Sequence, residues 1–223
     1  MDDSKEAAQR RASRQLRLSL ALAAVAAPGL VPLAGGASDP LVLLLWLAHV
    51  APATGAAAAL LRLDGWPYGA AIAGAWSIVT VCVAGVSERI VPAPLWAMAA
   101  VAGLYYAGFA VGRAAGSTRS SLAPVACVTL LASWLPLAPG VSGAPWPAAL
   151  ASRLLDLSPA TLVAECAGLD WMRTPGIYDP VGTDRFQRQA WSGELAGPAS
   201  LLIGCTLWGC AAAWSRRRER RLG

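Results

Sequence analysis

Apolar residues in this chain come in long blocks, each close to the length of a membrane-crossing helix. A helix that crosses the hydrocarbon core needs about 20 mostly apolar residues. Six blocks approach that length, at 18–33, 41–61, 68–86, 92–112, 122–137 and 198–214. Turn chemistry separates them, as in Gly35-Gly36-Ala37-Ser38-Asp39-Pro40 and Asp64-Gly65-Trp66-Pro67. The expected fold is therefore all-α: a polytopic integral membrane protein of about six transmembrane helices. Pro28 and Pro32 make the first block the least regular. With its basic lead-in and Gly35-Gly36-Ala37 it also reads as a cleavable signal peptide, which would leave five crossings.

The gap between the fifth and sixth blocks is of another kind. Residues 146–157 predict a short helix with Arg153 and Asp156 on its polar side. Ser158-Pro159 is an N-cap followed by proline at the first helical position, and Gly168 is a stop. The apolar stretch 159–167 is too short to cross, so it lies in the interface or re-enters from outside. Residues 169–186 have loop chemistry with alternating charges and aromatics.

Charge then orients the chain. Only 14% of the 223 residues are charged, against about 25% in an ordinary soluble domain. With both termini in the cytoplasm, 13 of the 18 basic residues fall inside. Arg89, Arg153, Arg173, Arg185 and Arg188 remain outside, with eight acidic residues. That is the positive-inside bias of an even number of crossings. The resulting segments are a basic cytoplasmic 1–17, transmembrane helices 1–5 over 18–138, an extracytoplasmic or re-entrant cap over 139–197, helix 6 over 198–215 and a basic tail over 216–223. Clustered arginines beside apolar blocks attract anionic lipid headgroups. No nucleic-acid-binding fold accompanies the net charge of +5, so nucleic acid is not an expected partner. Alanine- and arginine-rich usage with a single lysine suggests a GC-rich bacterial genome, hence a bacterial cytoplasmic membrane.

Candidate chemistry is sparse. His49, the one histidine, lies near the middle of the second block. An intramembrane ionisable group is a functional candidate by default, as proton relay or ligand. No second histidine and no carboxylate within another block partners it, so a neutral imidazole bonded to a backbone carbonyl is the blander account. Glu88 and Arg89, at the outer end of the third block, read as a gating pair or as a hydrated helix end. In the outer loop Asp170, Asp179 and Asp184 accompany Arg173 and Arg185, either as partner or substrate contacts or as ion pairs that hold a cap. Gly108, Gly112 and Gly116 form a small-residue ladder in the fourth block, extended by Ala99, Gly103 and Ala107. Such ladders let helix backbones approach closely in lipid, within one chain or between two copies.

The five cysteines show no metal-ligand spacing, and no phosphate-binding glycine loop occurs. No cofactor, no metal site and no catalytic constellation is expected.

A basic cytoplasmic N-terminal segment, six crossings and short outer helices between the last two resemble the type-2 ABC exporter permeases. In that family the N-terminal segment often lies along the inner interface, and the outer helices can dip back into the membrane. Residues 5–17 and 146–168 are the matching parts here. The resemblance implies a permease subunit energised by a separate nucleotide-binding ATPase. The alternative is a non-catalytic membrane subunit or assembly factor that binds a partner through its cap and packing helices.

Overall fold

A computed structural model describes residues 9–10, 12–13, 40–60, 92–115, 122–141, 146–168 and 193–222. Among these residues every regular element is helical. They are α1 (Pro40–Leu60), α2 (Pro92–Ala115), α3 (Leu122–Trp134), a 3-10 turn (Leu135–Leu137), α4 (Ala138–Val141), α5 (Ala148–Asp156), α6 (Pro159–Cys166) and α7 (Gly193–Leu222).

Local chemistry sets the boundaries. Pro40 and Pro92 open α1 and α2, where a missing N–H costs nothing and φ is already helical. Pro136 cannot donate to the helix ladder, and α3 gives way at that point to a 3-10 turn. Before α6, the Ser158 hydroxyl accepts a hydrogen bond from the Ala160 N–H at 3.3 Å, and Pro159 takes the first helical position. The Thr161 hydroxyl donates back to the Leu155 and Ser158 carbonyls, which ties α6 to the end of α5. Gly168 follows α6 with φ 72°, a left-handed conformation that favours glycine.

Two helices are long and apolar enough to cross a membrane, α2 over Leu95–Ala115 and α7 over Glu194–Arg217. The apolar portions Leu47–Leu60 and Pro124–Leu137 are shorter. The sixth block is longer than its apolar residues foretell. Its helix begins five residues before Pro198 and continues through the arginines to Leu222. The tail is thus helical in backbone rather than a separate coil.

Three of these helices run parallel. Along α1 and α2, Gly108 abuts Pro52 and Gly112 abuts Ala56 and Ala59, so the contact advances in the same direction on both. Along α2 and α7, Gly197 abuts Trp96 and Gly204 abuts Gly103, again in step. The Ser200 hydroxyl donates to the Ala100 carbonyl at 3.3 Å in the same seam. α2 is therefore the central helix, with α1 and α7 on either side. The C-terminal end of α3 meets α1 at the level of His49.

The core is built from small side chains. Ala48, Ala51, Ala97, Ala100 and Ala196 are buried together with Val101, Tyr105 and Phe109. Val163 and Cys166 of α6, with Ala167 at its C-terminal cap, join the same cluster, so this short helix is seated in the bundle.

Candidate functional site

His49 is fully buried, and two residues at the end of α3 hold it. Its imidazole stacks on the Trp134 indole, with ring centroids 4.1 Å apart and planes 17° apart. The preceding residue, Ser133, is buried too, and its hydroxyl donates to the His49 carbonyl at 3.0 Å and the Leu130 carbonyl at 2.7 Å. Ser133 and Trp134 thus grip the backbone and the ring of one residue. A backbone group of Ser133 also faces the ring, yet neither ring nitrogen makes a hydrogen bond of good geometry.

Two further buried polar atoms on α2, Trp96 Nε1 and Tyr105 Oη, also lack a partner. Unpaired buried polar groups cost about 1–3 kcal/mol each. Among the described residues no three His, Cys, Asp or Glu side chains come together. What this arrangement does chemically is limited: a buried imidazole, screened from water, clamps α1 to α3.

The small-residue ladder has a definite use. A β-carbon at Gly108 would collide with the Pro52 carbonyl, and one at Gly112 with the Ala56 carbonyl. Both glycines therefore face α1 of the same chain. Gly103 faces α7 instead, where a β-carbon would collide with Ser200. Glycine 55 of α1 and Gly204 of α7 are the reciprocal positions, against the backbones of Tyr105 and Gly103. Gly116 lies outside the described residues, as do Glu88, Arg89, Asp170, Arg173, Asp179, Asp184 and Arg185.

α6 buries Cys166, and burial pushes its thiol up to about 12. Cys127, Cys205 and Cys210 are exposed on α3 and α7. Sequence reasoning passed over Ser133 and Tyr105. A serine and a tyrosine inside apolar blocks were the available signals, but neither names the helix it will meet.

No family model matches the chain, and no curated protein or solved structure matches it either.

Proposed function

We propose that this chain is the membrane-spanning permease subunit of an ATP-driven exporter, energised by a separate nucleotide-binding subunit. The observation that carries the reading is the seating of α6 among α1, α2 and α7, through Val163, Cys166 and Ala167. An outer helical segment between the last two crossings that folds back into the bundle is what the type-2 exporter resemblance implies.

The parallel course of α1, α2 and α7 supports the six-crossing topology behind it. Neighbouring helices that run parallel need a return path between them. Leu60 and Pro92 stand at opposite ends of the α1–α2 pair, an offset of about 35 Å that one helix crossing of roughly 24 residues matches. The apolar block at 68–86 is that crossing in this reading, and α1, α2 and α7 are crossings two, four and six. Both termini are then on the cytoplasmic side of a bacterial membrane.

A second reading, a non-catalytic subunit or assembly factor, draws on the α1–α2–α7 seam. Backbone-to-backbone contact at Gly108, Gly112 and Gly204 is suited to a rigid scaffold.

Purification of the tagged protein from its own membranes in mild detergent, with mass spectrometry of its companions, decides between them. A stoichiometric nucleotide-binding ATPase supports the permease. A different membrane complex, with no ATPase under conditions that keep transporters intact, overturns it in favour of the scaffold.

A further inference from the structure

The two ends of α7 differ in charge, and its sides differ in exposure. Glu194 stands at one end, and Arg216 and Arg217, both exposed, stand at the other. Because α2 and α7 run parallel, Arg113 in the last turn of α2 comes to the same end as Arg216.

Helical register carries the argument further. The exposed side of α7 includes Leu202, Ile203, Thr206 and Cys210, and Trp214 is exposed at its lower edge. The packed side holds Gly197, Gly204 and Trp208, against α2 and its neighbours. Arg216 and Arg217 are exposed, and at 3.6 residues per turn positions 220 and 221 continue the same arc of about 140° around the helix. Leu195 and Trp214 bracket the exposed apolar strip and are 19 residues apart, about 29 Å of helix, which matches the hydrocarbon thickness of a bilayer. The arginines therefore begin where the apolar strip ends.

We propose that this end of α7 is a docking site for anionic phospholipid headgroups, with Arg216, Arg217, Arg220 and Arg221 as the phosphate-binding positions and Trp214 as the interfacial anchor. Guanidinium groups pair with phosphate oxygens through two parallel hydrogen bonds, and tryptophan settles at the headgroup boundary. The inference rests on the membrane reading above, whichever role the subunit has.

The test uses the full-length protein in nanodiscs of equal phosphatidylcholine and phosphatidylglycerol, with native mass spectrometry of the lipids retained when the disc is stripped. Wild type is expected to retain phosphatidylglycerol over phosphatidylcholine by about fivefold or more. Raising salt from 0.1 to 0.5 M should shrink that preference, because exposed charges are then screened. The R216Q/R217Q/R220Q/R221Q variant should lose the preference, and Glu219→Gln should keep it. If the quadruple variant fails to insert, the salt series on wild type decides. Equal retention of the two lipids by wild type overturns the proposal, as does a preference that survives in the quadruple variant or in high salt. A chain that never enters the disc and washes off membranes at alkaline pH sinks the membrane reading itself.

Discussion

The His49 ring lies flat on the Trp134 indole at 4.1 Å, and the Ser133 hydroxyl bonds the His49 carbonyl beside it. One pair of adjacent residues therefore fastens two helices that are 84 positions apart in sequence. The contact is aromatic on one side and polar on the backbone, so its two parts can be separated by substitution.

His49→Phe keeps a flat ring on Trp134 and removes two nitrogens that have no hydrogen bond. We expect its thermal midpoint in detergent to equal or exceed that of wild type, since near-isosteric swaps cost under about 1.5 kcal/mol and an unpaired polar group is relieved. His49→Ala should lose about 2–4 kcal/mol through the cavity it leaves. A His49→Phe protein that melts as low as His49→Ala would show that the imidazole nitrogens matter to the fold.

Gly108→Leu and Gly112→Leu should separate α1 from α2 and lower the melting temperature sharply. Overpacking costs about 1–3 kcal/mol, and here the obstacle is backbone that cannot rotate away. Gly209→Ala is the control, because nothing lies within 4 Å of its added β-carbon. Equal melting temperatures for the three variants would refute the packing assigned to the ladder.

Cys166 should resist a membrane-permeant thiol reagent at neutral pH in the folded protein and react after denaturation, whereas Cys205 and Cys210 react with the same reagent in detergent without unfolding. Its thiol is raised to about 12 by burial, so the unfolded chain ionises first as pH rises. Stability is then full below the ordinary thiol value and falls between that value and about 12, by up to about 1.4 kcal/mol per pH unit. Cys166→Ala should flatten that slope in a pH series of thermal melts.

Topology has its own test. In a background without native cysteines, a thiol reagent that cannot cross membranes should label intact cells at position 184 after Asp184→Cys. It should not label position 218 after Arg218→Cys. Labelling of both from outside would rule out six crossings with cytoplasmic ends.

Much of the helix content was legible in order. Pro40, Pro92, Ser158-Pro159 and Gly168 mark boundaries because each restricts φ or supplies a cap, and those effects reach only a few residues along the chain. The apolar blocks of α2 and α7 were equally plain. Less legible was the extent of α7, since an arginine run has good helix propensity yet looks like a solvated tail. The surroundings of His49 were not legible at all. Position 49 has no ionisable partner in sequence, and nothing in a run of leucines and alanines says that Ser133 and Trp134 will face it.

What the sequence determined by itself, then, is helix type and approximate helix ends, because these follow from local propensity and hydropathy. Which helices touch was decided by tertiary structure. Gly103, Gly108 and Gly112 occur in one helix and look alike in sequence, yet Gly103 turns to Ser200 and the other two to α1. Periodicity tells which residues share a face, but the neighbour on that face is chosen by steric fit between backbones far apart in the chain.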